Sequence, residues 1–178
     1  MIAVASTPYD AKGLLSSAIE SNDPVIFFEP KRIYRAVKSD VPEERYTIPF
    51  GVAELAKPGK DITLIGWGAQ HHQNMAAAES LLRDNGIEVE VLNLRTLNPL
   101  DMDSIVASVE KTGRLVIAHE APLTCGFGAE LAAQVQEKCF LHLLSPVRRC
   151  CGWDTPFPNT LEHDYLPDAE RVKTALME

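Results

Sequence analysis

The stretch DITLIGWGAQHHQNMAAAESLLRDNGIEVEVLNL, residues 61–94, decides the fold class. It begins with the apolar run DITLIGWG and ends with a second run, IEVEVLNL, and both are typical of buried strands. The segment between them has the composition of a helix and ends at Gly86, a residue type that commonly follows the last helical turn. The order strand, helix, strand predicts two parallel strands joined by a crossover helix.

The same rhythm continues towards the carboxyl end of the chain. DMDSIVASVEKTG predicts a helix that stops at Gly113, and RLVIAHE predicts a third strand. FGAELAAQVQEKC predicts a third helix with Phe127, Leu131 and Val135 on one face, and SPVRRCCGW predicts a fourth strand. Because strands and helices alternate, the sequence predicts an α/β fold, a mostly parallel sheet with helices on both faces.

The beginning of the chain predicts a β-α-β unit of its own. Residues 2–5 are a short strand candidate, and PVIFF, residues 24–28, predicts a buried strand. Between them, Thr7 is a candidate N-cap, Pro8 fits the first helical position, and Asp10 stands where a capping box has an acid.

The pattern changes between the two regular parts. From Glu29 to Gly59 the chain carries four prolines and many charges and shows no sustained period, which is typical of a connection over a surface, and the boundary is placed at residues 36–47. The expected organisation is therefore a β-α-β unit in residues 1–35, a linker in residues 36–47, and a complete domain in residues 48–178.

Composition excludes several classes of function. The chain has 178 residues, of which 46% are hydrophobic and 24% are charged, as in globular domains. A net charge of −8 argues against binding to nucleic acid or to an anionic membrane surface. The apolar stretches are too short to span a membrane, and the first residues lack the basic leader of a signal peptide, so no targeting segment is expected.

Metal and cofactor motifs are weak. A zinc site could be imagined from Cys139, His142, Cys150 and Cys151, but their spacing does not match paired ligands, and adjacent strand residues point to opposite faces. Reduced thiols and no metal are expected. The segment GWGAQH lacks the third glycine of a dinucleotide-binding loop, and no Gly-x-Ser-x-Gly or Walker motif occurs.

Histidines at two places invite a chemical interpretation. His71 and His72 begin a helix, point about 100° apart and cannot easily bind one ion, so solvated helix-start residues are expected. His119 and Glu120 end a strand, where ligands and interfaces gather in open α/β sheets. Adjacent strand residues face opposite ways, so no tight acid–base couple is expected, and the pattern alone leaves a structural and a functional role open.

A set of longer motifs resembles one family. They are, in chain order, IFFEPKRIYR, DITLIGWGAQ, VEVLNLRTLNPLD, KTGRLVIAHEAP, GFGAE, GWDTPFP and YLPDAERV. In this order they resemble the carboxyl-terminal half of the β subunits of decarboxylating 2-oxo acid dehydrogenase components, in the thiamine-diphosphate transketolase-like group. FFEPKRIYR and HEAP favour the branched-chain enzymes. The resemblance covers nearly the whole chain and implies a fold like the transketolase carboxyl-terminal domain.

The resemblance also implies cofactors and partners. Such enzymes are α₂β₂ assemblies that use thiamine diphosphate and Mg²⁺ and pass the acyl group to a lipoyl acyltransferase core. In this family the α subunit holds the diphosphate and Mg²⁺, and the amino-terminal pyrimidine-binding domain of β supplies the activating glutamate. Only the last β-α-β of that domain is present, so this chain alone is expected to bind no cofactor and to be inactive.

The expected role is assembly. His119, Glu120, Phe127, Trp153 and Phe157 are predicted to lie at a subunit interface, and no catalytic, cofactor-binding or metal-binding residue is assigned. The expected partners are an α subunit, a second β subunit and the acyltransferase core, with a homodimer for the chain alone. The location would be the mitochondrial matrix in a eukaryote or the cytoplasm in a bacterium.

Two alternatives remain. The chain could be a free-standing α/β binding or assembly module, or it could belong to a pyruvate- or acetoin-type dehydrogenase. One departure from the family pattern is Cys125, which stands where relatives commonly have glycine. A left-handed backbone at that position would be costly for cysteine.

Overall fold

The computed structural model describes residues 1–178 and contains two sheets. The strands and helices are, in chain order, β1 (Ile2–Val4), α1 (Pro8–Glu20), β2 (Ile26–Phe28), β3 (Glu54–Lys57), β4 (Ile62–Gly66), α2 (Gln70–Asn85), β5 (Val89–Asn93), β6 (Thr96–Asn98), α3 (Met102–Thr112), β7 (Leu115–Pro122), α4 (Phe127–Cys139), β8 (Arg148–Gly152), α5 (Glu162–Tyr165) and α6 (Ala169–Met177). No helix is long and apolar enough to cross a bilayer.

The larger sheet has the strand order β3-β5-β4-β7-β8, and only its edge strand β3 is antiparallel to its neighbour. On one face, α2 and α6 pack on the sheet through Leu81 and Val172. On the other face, α3 and α4 pack through Ile105, Leu131 and Val135. The predicted α/β class, with a mostly parallel sheet covered on both faces, is confirmed.

The predicted helix ends agree with the structure. Gly86 and Gly113 follow α2 and α3 with φ values of 70° and 69°, a left-handed conformation that glycine adopts without a steric penalty. The sequence pattern does not predict β3, β6, α5 or α6. The strands β3 and β6 are short and antiparallel to their partners, and they exist because a neighbouring strand satisfies their backbone groups.

The opening β-α-β forms as predicted, with two corrections. Thr7 caps α1 by accepting a hydrogen bond from the Asp10 N–H at 3.1 Å. The Asp10 carboxylate does not complete a capping box, because it points inward to Arg95. The prediction that residues 24–28 form a buried strand is wrong, since β2 is the edge of a three-stranded sheet and Ile26 and Phe28 are more than half exposed.

A buried polar network joins the opening unit to the larger sheet. Arg95 Nε donates to Asp10 Oδ1 at 2.7 Å, and a second guanidinium nitrogen lies 3.2 Å from Glu54. Asn93 donates to both carboxylates at 3.1 Å and accepts from Ser6 Oγ at 2.7 Å. Asp10 has no exposed surface, so its charge depends on these partners.

The segment predicted to be a linker lies along α1. Lys12 Nζ donates to main-chain carbonyls of residues 42–44. Tyr46 stacks on Tyr9 with ring centroids 4.6 Å apart, and the Ile48 N–H donates to a carbonyl of α1 at 3.1 Å. These contacts hold the carboxyl end of the segment against the opening unit.

The network leads to a prediction for stability. Arg95→Met leaves the Asp10 carboxylate buried without its cation, and we expect the free energy of unfolding to fall by about 3–5 kcal/mol. Lys60→Met is the control, because its ion pair with Glu88 is solvent-exposed and contributes little to stability. Urea denaturation followed by circular dichroism measures both, and equal losses in the two variants would contradict the role of Asp10.

Candidate functional site

The carboxyl ends of the parallel strands bring several candidate residues to one edge. Trp67 directly follows β4, His119 and Glu120 lie near the end of β7, and Trp153 directly follows β8. This edge is the usual ligand and interface position of open α/β sheets. His119 is only 1% exposed and stacks on Trp67 with ring centroids 5.4 Å apart.

The hydrogen bonds of His119 make it a neutral histidine. Its Nε2 accepts from the Gly128 N–H at 3.2 Å, and the Cys151 thiol lies 3.2 Å from the same nitrogen. Burial lowers the pKa of His119 to about 4; the Ala121 backbone acts in the opposite direction, and the charge of Arg149 lowers the pKa further. Because Nε2 accepts, the ring proton lies on Nδ1, which has no hydrogen-bond partner.

The Gly-Phe-Gly motif is explained by the histidine ring. A Cβ atom at Gly128 would lie 2.5 Å from His119 Nε2, and one at Gly126 would lie 2.6 Å from its Cε1. Only residues without a side chain allow the start of α4 to approach the ring this closely. The motif therefore serves packing between α4 and the end of β7.

The four cysteines lie in different surroundings. Cys150 packs in the core beneath α2 and α6, whereas Cys151 faces His119, so the two side chains point to opposite faces as predicted. Burial raises the pKa of Cys151 to about 11, which keeps it a thiol. Cys139 is buried under α4, His142 pairs with an exposed glutamate, and no three acid, histidine or cysteine side chains converge anywhere in residues 1–178.

Glu120 makes no hydrogen bond with the preceding histidine and lines two clefts. One cleft, of about 320 Å³, also contacts Glu29 and Trp67. The other, of about 520 Å³, lies against Arg32 and Glu162. Burial raises the pKa of Glu120, while Arg32 lowers it and Glu162 raises it further. Three acids and one base give this edge an acidic character.

Two aromatic residues of the GWDTPFP segment reach the surface at the same edge. Trp153 is 55% exposed; its Nε1–H donates to the Asp164 carbonyl at 2.8 Å, and the Arg171 guanidinium lies 4.3 Å from its ring centroid. Phe157 is 51% exposed and meets Tyr165 edge-on at 5.1 Å. Each ring is therefore half packed on its own chain and half open to a partner.

The other residues of the predicted interface lie deeper. Phe127 is half buried and meets Trp67 edge-on at 5.9 Å, and His119 is enclosed by its own chain. Exposed surface at this edge comes from Trp153, Phe157 and the loop between β7 and α4. Within that loop Cys125 has a φ of 60°, so the chain keeps a left-handed backbone at a cost of about 1 kcal/mol.

The interpretation of His71 as a solvated helix-start residue is wrong. His71 is 6% exposed, and burial lowers its pKa to about 4. His72 is half buried, with Nε2 2.7 Å from the Ser6 carbonyl. The opening unit lies over the start of α2 and buries His71. The sequence of the helix itself gives no sign of this burial.

Comparison with known proteins identifies the class of domain. The family model described as transketolase, C-terminal domain, matches residues 51–172. The chain therefore belongs to the transketolase C-terminal domain family.

Its relatives include dehydrogenase subunits. The chain is 52% identical to the mitochondrial 2-oxoisovalerate dehydrogenase subunit beta of Dictyostelium discoideum, covering 94% of this chain and 45% of the relative. It is 46% identical to 2-oxoisovalerate dehydrogenase subunit beta of Pseudomonas aeruginosa, covering 96% and 52%. It is also 46% identical to the pyruvate dehydrogenase E1 component subunit beta of Staphylococcus epidermidis, covering 96% and 53%. The similarity to these β subunits that the motifs indicate is confirmed.

The chain spans about half the length of the curated relatives it matches. A solved structure described as a split gene transketolase, inactive beta4 tetramer, is also similar, with a TM-score of 0.79 and 25% identity. The similarity covers 99% of this chain and 55% of that one. Both sheets thus belong to the shared fold.

Burial of the two histidines predicts loss of stability in acid. The pKa of His71 and His119 is about 4 in the native chain and 6.5 for a histidine that is not buried, so between these values only the unfolded chain binds the protons. Stability is complete above pH 6.5 and falls as the pH drops towards 4. Each histidine contributes a loss of up to about 3 kcal/mol.

His119→Gln tests the contribution of His119 to the loss of stability in acid. The glutamine amide oxygen can still accept the Gly128 N–H, but the side chain does not titrate in this range. We expect the free energy of unfolding of this variant to depend less steeply on pH between 6.5 and 4, by up to about 1.4 kcal/mol per pH unit. His163→Gln, at an exposed position, is the matched control and should keep the parent slope. Identical slopes in all three proteins would contradict the burial effect.

Proposed function

We propose that this chain is part of the β subunit of a thiamine-diphosphate-dependent branched-chain 2-oxo acid dehydrogenase. Its role there is to supply subunit contacts and to help dock the lipoyl acyltransferase core. The observation that carries the proposal is the 52% identity to a 2-oxoisovalerate dehydrogenase β subunit over 94% of the chain. The pyruvate dehydrogenase β subunits, at 46% identity, make pyruvate the second candidate substrate of the whole enzyme.

The proposed domain division follows the two sheets. Residues 1–35 would belong to the pyrimidine-binding domain of the longer subunit, residues 36–47 would be the linker, and residues 48–178 would be the transketolase-like domain. The match of the family model from residue 51 onward supports this division. So does the separate small sheet that β1 and β2 form, although β6 joins it from the other side.

The residues of this chain do not fit the cofactor itself. The clefts at the carboxyl edge carry Glu29, Glu120 and Glu162 against the single base Arg32, which is unfavourable for a diphosphate. No group of three acid, histidine or cysteine side chains is present to hold Mg²⁺. Thiamine diphosphate and Mg²⁺ would therefore bind in the other parts of an α₂β₂ enzyme, the α subunit and the complete pyrimidine-binding domain.

Exposed apolar surface supports the proposed contacts. Trp153 and Phe157 offer half of their surface at the edge where the β subunits would meet, with Glu120 beside them and His119 and Phe127 supporting the loop from beneath. The similarly folded split gene transketolase β chain is described as a tetramer of β chains that is inactive. We propose that this chain, on its own, likewise pairs with a second copy and does not catalyse.

The location of the whole enzyme follows from the same proposal. Two of the 2-oxoisovalerate dehydrogenase relatives carry the word mitochondrial in their names, and another is bacterial. A eukaryotic source would place the enzyme in the mitochondrial matrix, and a bacterial source would place it in the cytoplasm.

The purified chain is expected not to decarboxylate 2-oxoisovalerate, even when thiamine diphosphate and Mg²⁺ are supplied. The clefts at its carboxyl edge are acidic and unfavourable for a diphosphate, and positioning of the cofactor accounts for several kcal/mol of the barrier. Release of CO₂ is measured with the chain alone and with a full-length β subunit plus α subunit as the positive control. Turnover by the chain alone would overturn the proposal. In the reconstituted control, preference for pyruvate over 2-oxoisovalerate would favour the second candidate.

Trp153→Ala is expected to weaken the dimer of this chain by about 2 kcal/mol, because a buried aromatic anchor is removed from the contact. Sedimentation velocity measures the dissociation constant, and circular dichroism checks that the monomer stays folded. Leu82→Ala, at an exposed position on α2, is the control for loss of apolar surface elsewhere. A variant that dimerises as tightly as the parent, or one that unfolds, would assign Trp153 to internal packing.

A further inference from the structure

The cleft of about 320 Å³ that Glu120 lines lies between the opening unit and the larger sheet, and we call it the inter-sheet cleft. Its apolar wall consists of Val4, Phe28, Pro30, Trp67 and Leu97. Phe28 and Glu29 are exposed, so the cleft opens to solvent on their side. A cleft of this size, with mostly apolar walls and a few polar groups, is typical of a small-molecule site.

The loop between β4 and α2 offers backbone donors to the inter-sheet cleft. Gly68 lines the cleft with a left-handed φ of 60°, and Ala69 follows it with a right-handed helical backbone. Successive residues of opposite hand turn their N–H groups to one side and form an anion-binding nest. The N–H groups of Gly68 and Ala69 are buried and donate to no carbonyl of the chain. This pair of donors, which we call the Gly68 nest, also lies at the start of a 16-residue helix without a side-chain cap.

His119 adds a donor that is independent of the helix start. Its side chain is only 1% exposed, and its Nε2 is turned to α4 and Cys151. The ring lines the inter-sheet cleft beside Ala121, and the proton on Nδ1 has no hydrogen-bond partner in the chain. Because a buried donor without an acceptor is unfavourable, a ligand oxygen bound at this nitrogen is stabilised.

Two carboxylates argue against a simple anion as the ligand. Glu29 and Glu120 line the inter-sheet cleft, whereas Arg32 lines only the neighbouring cleft. Glu29 accepts from the Tyr34 hydroxyl, and no hydrogen bond from the chain acts on Glu120. The acid and histidine side chains do not converge closely enough to hold a metal ion. A ligand that places negative charge on the Gly68 nest therefore has to carry positive charge towards the glutamates.

We propose that the inter-sheet cleft binds a free apolar α-amino acid as its zwitterion. The carboxylate of the ligand accepts from the Gly68 nest and from His119 Nδ1, and its ammonium group donates to Glu120 and Glu29. The side chain of the ligand packs on the apolar wall. A 2-oxo acid lacks the ammonium group and an amine lacks the carboxylate, so each of them leaves polar groups of the cleft unpaired. This site goes beyond the proposed function, because it serves neither the reaction nor the contacts of Trp153 and Phe157.

Isothermal titration calorimetry of the purified chain with L-leucine tests the site. Isocaproate is leucine without the amino group, and isoamylamine is leucine without the carboxylate, so they are matched control ligands. L-Leucine should bind, and each control should bind at least about tenfold more weakly, because one charged group of the cleft then has no partner. Glycine lacks the apolar side chain and should also bind at least about tenfold more weakly.

Glu120→Gln tests the contact with the ammonium group. The amide keeps the size of the side chain but removes its charge, so the preference for L-leucine over isocaproate should fall at least about tenfold. A merely structural defect would weaken both ligands and leave this preference unchanged. Glu162→Gln is the matched control, because it removes the same charge from the neighbouring cleft and should change the affinity for L-leucine less than about twofold. Circular dichroism checks that both variants are folded.

Tryptophan fluorescence locates the ligand. The chain has two tryptophans, and in Trp153→Phe the remaining one is Trp67, on the wall of the inter-sheet cleft. L-Leucine should change the fluorescence of this variant with the dissociation constant that calorimetry gives.

Several results would overturn the proposed amino acid site. They are the absence of binding heat with millimolar L-leucine, equal affinity for L-leucine and isocaproate, and binding without a change in Trp67 fluorescence. A loss of affinity in Glu162→Gln but not in Glu120→Gln would place the ligand in the neighbouring cleft and would also overturn it. None of these results bears on the subunit contacts, which Trp153→Ala tests, so the two proposals fail separately.

Discussion

The ion pair between Asp10 and Arg95 fixes how the two sheets of this protein are arranged. Asp10 has no exposed surface and Arg95 has little, so both charges have left water and each depends on the other. The Arg95 carbonyl also accepts from the Val4 N–H at 2.8 Å, which aligns β6 with β1. Any other placement of the opening unit would leave a buried charge without its partner.

The motif at the end of β7 suggests an acid–base site, but the surroundings of His119 do not support that role. A histidine and a glutamate followed by a glycine-rich turn are typical of acid–base sites, yet His119 has no carboxylate partner and stays neutral down to about pH 4. Its Nε2 accepts the Gly128 N–H at the start of α4, where the positive end of a helix dipole disfavours protonation. The ring thus fixes the angle at which α4 leaves the strand, and the loop above it becomes a stable platform for contacts.

The sequence alone predicts the repeating part of the fold and misses what depends on distant partners. The spacing of apolar residues and the glycines that end helices predict β4, α2, β5, α3, β7, α4 and β8. This works because the buried face of a strand or helix is made of apolar residues at regular spacing in its own sequence. The exposure of β2 and the burial of His71 are not predictable in this way, since each is decided by whether another element lies on top. Asp10 and Arg95 are 85 positions apart, and no local signal pairs them. At the site, the end of β7 is predictable, but not which of His119 and Glu120 faces inward.

The distribution of apolar surface argues that this domain works inside an assembly. Both faces of the large sheet are already covered by helices, so exposed side chains such as Leu141, Trp153 and Phe157 add nothing to the core. Large exposed apolar residues that are ordered are typical of contact surfaces. Here one group, Trp153 and Phe157, follows β8, and another, Ile19, Ile26 and Phe28, lies on the opening unit. Acidic charge over the rest of the molecule opposes unspecific association. Contacts are therefore favoured where ordered apolar side chains are open, and at the carboxyl edge the rigid sheet fixes the position of Trp153 and Phe157.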